Sequence, residues 1–424
     1  MNVLVIGGGG REHTIAWKLT QSPKVKKIYC APGNGGTAQF ARNVPIDVHD
    51  FAGLAQFAKD EGIDLTIVGP EDPLFAGIVD FFEQRNLPIY GPHADAARME
   101  GSKCFAKKMM SRYNIPTARY ESFIDYESAL AYVREQGAPI VIKADGLAAG
   151  KGVVVAESLE EAEEALFHMM KAGSFGEAGA RVVIEECMRG EELTLLSFVD
   201  GETVKPMIAS QDHKQVFDGD KGPNTGGMGT YAPVPQVSAA LMEQIVETIV
   251  KPIAKGMVQE GFPFKGVLYT GLMLTAEGPK VVEFNVRFGD PETQVVLPLL
   301  ETDLVDIVLA TISGDLASLD IQWKQGSAVC VVMAAPGYPG DYPKGAVIEG
   351  LGDVKAEDNV VVFHAGTKQK DSAILTNGGR VLGVTGIGDG LIEARDAAYA
   401  GVKKLHFEGA HYRTDIAAKA LRRV

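Results

Sequence analysis

"VVEFNVRFGDPE", residues 281–292, alternates like a strand, which sends residues two apart to the same face. One face then carries Val282, Phe284, Val286 and Phe288. The other carries Glu283, Asn285 and Arg287, a carboxylate, an amide and a guanidinium in a row. Glu283 and Asn285 are hard oxygen donors. Mg²⁺ takes few protein oxygens and fills its other positions with water and phosphate oxygens, so a Glu-x-Asn pair suits it. Arg287, one step on, can hold a phosphate or a carboxylate in a fork. The rival reading is a structural Glu283–Arg287 ion pair on a half-exposed strand. The strand by itself leaves the two readings even.

Working outward, "VIKADG" puts Lys143 at the end of an apolar strand, where an ammonium can meet a phosphate oxygen. "DGLAAGKGV", 145–153, resembles a phosphate loop but is not a Walker motif. Three residues separate Gly146 from Gly150, and Gly152 follows Lys151 where Ser or Thr is needed. It joins two β-runs, so it reads as a flap over phosphates in which Gly150 and Gly152 supply backbone freedom. "VIEECM", 183–188, can offer main-chain groups to an adenine edge. Glu192, six residues beyond Glu186, can accept ribose hydroxyls. Beside these pieces the metal reading of Glu283 and Asn285 prevails over the ion pair.

Near the start, "VLVIGGGGREH" is a strand, four glycines and a helix start, a geometry that presents N–H groups to a phosphate. The dinucleotide fingerprint fails: counted from Gly7, the third glycine position holds Glu12, and no acidic residue closes the second strand. A monophosphate site is the preferred reading over a plain tight turn. "DHKQVFDGDKGPNTGGMGTYAP", 212–233, is a long Gly/Asp/Asn segment. Such loops are usually functional or disordered, and its aromatic and Met content argues against disorder.

The 424 residues allow two to four domains, with 46% hydrophobic and 23% charged residues giving ample core. A net charge of −14 disfavours non-specific nucleic-acid binding. Cys30, Cys104, Cys187 and Cys330 lie far apart without a CxxC, as expected of reduced thiols in a cytoplasmic protein. No basic n-region opens the chain and no membrane-length apolar run occurs, so neither a signal peptide nor a membrane partner is expected. Residues 1–100 alternate strand and helix, which implies a parallel sheet. "AARMEGSKCFAKKMMSRYNIP" reads as a helix ended before Pro116, and a helix is expected over about 238–260. "NGG" at 377–379 is a hairpin signal, and "GLIEARDAAYAGVKKL" a closing helix.

These motifs, in this order, resemble the ATP-grasp enzymes. The closer resemblance is to the phosphoribosylamine–glycine ligase family and runs the whole chain: "VIGGGGREH", "APGN", "GPEDPL", "IKADGLAAGKGVVVA", "GPNTGGMG", "EFNVRFGDPETQ" and "YRTDIAAKAL". It implies an α/β fold. A parallel α/β domain at 1–102 would precede an ATP-grasp core at 103–326 with a mobile α+β lobe at about 120–190, and an α+β domain at 327–424 would follow. It implies ATP and Mg²⁺ (or Mn²⁺), with glycine and 5-phosphoribosylamine as substrates, and a monomer is expected. Residue by residue, Glu283 and Asn285 match the metal ligands. Lys103 and Lys143 match the phosphate lysines. Glu185, Glu186 and Cys187 match the adenine hinge, and Glu192 the ribose acid. Gly9, Gly10, Arg11 and Asn34 would belong to the phosphoribosylamine pocket. Asp212, Lys214, Arg287 and Asp290 would lie near glycine and the γ-phosphate, with Lys143, Arg287 and Asp212 carrying catalysis. The strand "VLYTGLML" lacks the second acidic metal ligand of many ATP-grasp enzymes. The rival functions are another ATP-grasp ligase, such as a carboxylase of purine synthesis, and a non-catalytic nucleotide sensor.

Overall fold

The structure is a computed structural model that describes residues 1–146, 152–172 and 179–422. The chain opens with a five-stranded sheet, all parallel, in the order Arg42–Asn43, Lys27–Pro32, Asn2–Gly7, Leu65–Val68, Ile89–Tyr90. Val3, Leu4, Val5 and Ile6 are fully buried, the near-continuous apolar run of a central parallel strand covered on both faces. The strand ends at Gly7, at φ +121°, where a Cβ would come within 2.5 Å of Glu12 Cγ. Helix Gly10–Leu19 starts three residues later.

The single helix expected before Pro116 is two, Ala94–Gly101 and Lys103–Arg112. Ser102 takes an extended backbone between them, and its hydroxyl accepts from Phe105 N–H at 3.1 Å and donates to Asp145 at 3.0 Å. A capping residue with two partners outweighs helical continuity here. The next block is a small lobe. Strands Tyr120–Phe123, Val182–Glu186, Ile140–Ala144 and Val153–Ala156 pair antiparallel in that order. Helices Tyr126–Gln136 and Leu159–Met170 help enclose a separate core that includes Val133, Ile142, Leu166 and Ile184.

A second antiparallel sheet runs Thr203–Pro206, Glu191–Asp200, Lys265–Thr275, Gly278–Asn285. A third joins Gln211–Asp212 and Gly229–Ala232 to Ser327–Ala334, Arg380–Gly388 and Val360–His364, so the 212–233 segment is built into the C-terminal sheet. That segment also holds the strand pair Gln215–Phe217 and Lys221–Asn224. The helix expected near 238–260 is Ala239–Ile245 and Lys251–Gln259, joined by a π-helical turn, Val246–Val250. "NGG" does not make a hairpin: it links Ala373–Thr376 to Arg380–Gly388, which lie in different sheets. The hairpin is Thr367–Lys370 with Ala373–Thr376, and Asp371, at φ +55°, supplies the left-handed turn residue. The expected closing helix is Leu391–Lys404, and it lies on the third sheet. No described helix is long and apolar enough to cross a membrane.

Candidate active site

The strand that opened the reading ends at Asn285. Phe284, Val286 and Phe288 are buried as the alternation requires, while Val282 is half-exposed and turns its carbonyl to Lys143 Nζ at 3.2 Å. On the polar face Glu283 lies opposite Gly271, and Asn285 opposite Tyr269. Asn285 Nδ2 stands 3.4 Å from Glu283 Oε1. Burial pushes the Glu283 carboxyl up, but Lys214 and Lys143 outweigh it and hold it below the usual carboxylate range. The Asn285 oxygen faces Arg287 at 3.4 Å, so a turn of the amide would be needed for the carboxylate and the amide oxygen to meet one hard divalent cation. Among the described residues no cluster of three or more His, Cys, Asp or Glu side chains assembles a metal site.

The Glu283–Arg287 ion pair is not formed among the described residues. Arg287 Nε instead meets Glu71 at 3.2 Å, and a terminal nitrogen meets Glu100 at 2.9 Å. Glu100 also accepts from Val286 N–H at 2.8 Å, so one carboxylate fixes both residues that follow Asn285. Burial raises Glu71, but Arg287 and Arg11 bring it down to about 2.

A cavity of about 430 Å³ collects Arg11, Lys103, Lys143, Gly152, Glu185, Asp212, Lys214, Glu283, Asn285, Arg287 and Asp290. Lys143 Nζ is 3.0 Å from Glu185, whose other oxygen is 3.2 Å from Lys107. The Glu185 side chain therefore lies between two ammonium groups, while Glu186 turns to Arg119 at 2.8 Å and Cys187 is half-buried beyond the strand. Lys103 Nζ donates to Gly146 O at 3.0 Å at the foot of the flap, and burial lowers its pKa. Gly150 falls outside the described residues. Gly152 O accepts from Ala144 N–H at 2.8 Å. Glu192 stands in an adjoining recess with Asp212, Lys214 and Glu283; Lys214 reaches Asp212 at 3.0 Å and Glu192 at 3.8 Å.

The glycine loop is partly satisfied by the protein itself. Gly9 N–H donates to Glu12 at 2.6 Å and Arg11 N–H to Asp290 at 3.2 Å. Arg11 meets Glu12 at 2.5 Å and Phe288 O at 3.1 Å. Gly10 begins the helix with Asp290 and Gln294 close by. Asn34 is buried and ties Gly8 O, at 2.9 Å, to His364 O, at 2.8 Å. Gly9, Gly10 and Asn34 thus frame the loop behind Arg11, which itself reaches the cavity.

The sequence reading missed Glu71, Glu100, Lys107, Tyr269, Glu292 and Arg380, all lining the cavity. Lys107 could have been found, since it follows Lys103 by one helical turn. Glu71 and Glu292 stood inside quoted motifs. Glu100 and Arg380 carry no local signal: Arg380 enters from the C-terminal sheet, donating to Gly226 O and Asp290 O at 2.6 Å each.

Comparison with known proteins shows the family. The phosphoribosylglycinamide synthetase N domain matches residues 1–100, its ATP-grasp (A) domain 101–293 and its C domain 328–419. The chain is 54% identical over 421 residues to a phosphoribosylamine–glycine ligase of Halalkalibacterium halodurans, covering 99% of this chain and 97% of that one. It is 53% identical over 426 residues to one of Pseudomonas aeruginosa, covering 100% and 99%. A crystal structure of phosphoribosylamine–glycine ligase from Thermotoga maritima superposes with a TM-score of 0.84 at 36% identity, covering 98% of this chain and 100% of that one. Biotin carboxylase from Campylobacter jejuni, at 14% identity and TM-score 0.73 over 97% and 92%, shares the fold.

Proposed function

The chain belongs to the phosphoribosylamine–glycine ligase family, and from that premise we propose how its residues divide the reaction. It is an ATP-dependent carboxylate–amine ligase that joins glycine to 5-phosphoribosylamine in purine biosynthesis, giving glycinamide ribonucleotide, ADP and phosphate. The observation that carries the division of roles is one cavity holding Glu283 and Asn285 beside Lys143, Lys103 and Lys214.

A glycine carboxylate is a poor electrophile. Its oxygen attacks the γ-phosphorus of ATP, the bond to ADP breaks, and glycyl phosphate forms. The amine of phosphoribosylamine then attacks the acyl carbon, phosphate leaves, and the nitrogen loses a proton. Phosphoryl transfer asks for positioning and charge neutralisation. Lys143, braced by Glu185 and Val282 O, and Lys103 at the foot of the flap would hold phosphate oxygens. Glu283 and Asn285 would hold a divalent ion, Mg²⁺ or Mn²⁺, which when bound supplies charge neutralisation. Glu185, Glu186, Cys187 and Glu192 would bind the nucleoside, and Gly150 and Gly152 would close over the phosphates and exclude water from the acyl phosphate. Asp212, Lys214, Arg287 and Asp290 would serve glycine and the transferring group. Gly9, Gly10, Arg11 and Asn34 would serve phosphoribosylamine. A cytoplasmic monomer divided at 1–102, 103–326 and 327–424, with a lobe that moves on the core, completes the reading.

The test is ADP release with glycine, with and without phosphoribosylamine. Release that needs glycine and becomes stoichiometric with glycinamide ribonucleotide is expected. Release supported by bicarbonate in place of glycine, or by neither, would overturn it.

A further inference from the structure

The carboxylates lining the cavity differ in how they are neutralised. Glu71 and Glu100 share Arg287, Glu185 lies between Lys107 and Lys143, Asp212 has Lys214, and Asp290 has Arg380. Glu292 is 3% exposed, and its carboxylate meets hydroxyls: Tyr269 OH donates to Oε1 at 2.9 Å, and Thr194 Oγ1 stands 3.4 Å from the same oxygen. It has no ion-pair partner among the described residues. A buried carboxylate without a cation is costly unless a ligand brings one. Space for this carboxylate is kept open at Gly289, where a Cβ would come within 2.4 Å of Glu292 Oε2.

We propose that Glu292 binds the ammonium group of glycine, with Tyr269 and Thr194 orienting the carboxylate. The inference rests on the family reading of glycine as substrate and adds to it the residue that recognises the amine end. Glycine reacts through its carboxylate and brings a cation to a cavity in which Arg11, Lys107, Lys143, Lys214, Arg287 and Arg380 already have anionic partners. A carboxylate beside the amine also favours its protonated form, which is not a nucleophile. Glu292 thereby keeps the amine of the bound glycine itself from acting as a nucleophile while its carboxyl group is activated. Burial and then Asp212 raise the Glu292 pKa against the opposing pull of Lys214, and an ammonium at this position would favour the ionised form.

The experiment compares wild type with Glu292→Gln by saturation with glycine, ATP and phosphoribosylamine in turn. The glycine KM of the variant should rise roughly tenfold to a hundredfold, the scale of one charge-assisted contact, with the other two KM values within about threefold. A second measurement uses wild-type protein alone: a crystal structure with glycine and ADP should place the glycine nitrogen within about 3.2 Å of a Glu292 oxygen. An unchanged glycine KM in a variant that still binds ATP, or a nitrogen seated on Asp212 or another carboxylate, would overturn the assignment. If Glu292→Gln does not fold, the glycine-bound wild-type structure decides. If wild type itself shows no glycine-dependent ADP release, the family reading fails instead.

Discussion

Glu283 shows how one residue's chemistry is set by neighbours far away in sequence. Its carboxylate is stabilised in the ionised form by Lys214 and Lys143, which arrive from two other strands or loops. Glu283→Gln keeps the shape and removes the charge. Turnover should fall roughly a hundredfold or more, as for other losses of transition-state electrostatics, with the thermal transition preserved. Normal turnover at limiting Mg²⁺ would remove Glu283 from the metal site. Arg11 is a different case, because it both lines the cavity and makes structural contacts. It is 7% exposed and bonded to Glu12 and Phe288 O. Arg11→Ala should raise the phosphoribosylamine KM roughly 10- to 150-fold and leave the ATP KM nearly fixed. It should also lower the melting temperature, since Glu12 loses its guanidinium. Saturation curves and a thermal scan of the same preparation separate the two effects. A variant that loses ATP affinity instead would make the first loop a nucleotide site.

At the scale of elements, the break at Ser102 lets one segment serve two purposes. Helix Ala94–Gly101 delivers Glu100 to the end of strand Gly278–Asn285, and helix Lys103–Arg112 delivers Lys103 and Lys107 to the Lys143 side of the cavity. Asp145 receives both the Ser102 hydroxyl and Cys104 N–H, so the helix start and the foot of the flap are one hydrogen-bonded unit. Ser102→Ala should cost about 1 kcal/mol of stability, the usual worth of such a cap. It should raise the ATP KM more than the glycine KM, because Lys103 is the next residue. Denaturant unfolding and paired saturation curves check this, and a pure stability loss with both KM values unchanged would confine Ser102 to capping.

The whole molecule is closed by contacts between the first and last parts of the chain. His13, on the first helix, accepts the His364 backbone N–H at 2.6 Å, and Asn34 donates to His364 O. Burial, and then His364, lowers the His13 pKa well below its usual value, and burial lowers His364 to about 4. Both rings are neutral in the fold and become charged in the unfolded chain below about pH 6.5. Stability therefore is fully present above about pH 6.5 and declines as pH falls toward 4, by about 3 kcal/mol for His364 alone. Melting temperatures measured between pH 7.5 and 5 should fall, and His364→Gln should flatten the slope. An equal slope in the variant would assign acid sensitivity to other groups, with buried His213, also lowered to about 4, the first to examine.

What the sequence determined was local. Alternation in 281–288 placed Glu283, Asn285 and Arg287 on one face, strand–helix alternation gave the parallel sheet, and the order of motifs gave the family. These follow from backbone periodicity and nearest-neighbour spacing, which a chain carries without folding. The helix break at Ser102 and the misplaced hairpin at 377–379 depended on partners elsewhere, Asp145 in one case and the pairing of Arg380–Gly388 with Ser327–Ala334 in the other. Tertiary structure alone decided which charges meet. Arg287 could have paired with Glu283 four residues away, yet it pairs with Glu71 and Glu100, because the turn after Asn285 carries its guanidinium toward the N-terminal domain. Sequence spacing fixes which face a side chain leaves from, whereas Coulomb energy depends on the distance at which it arrives, and that distance is a property of the packed chain.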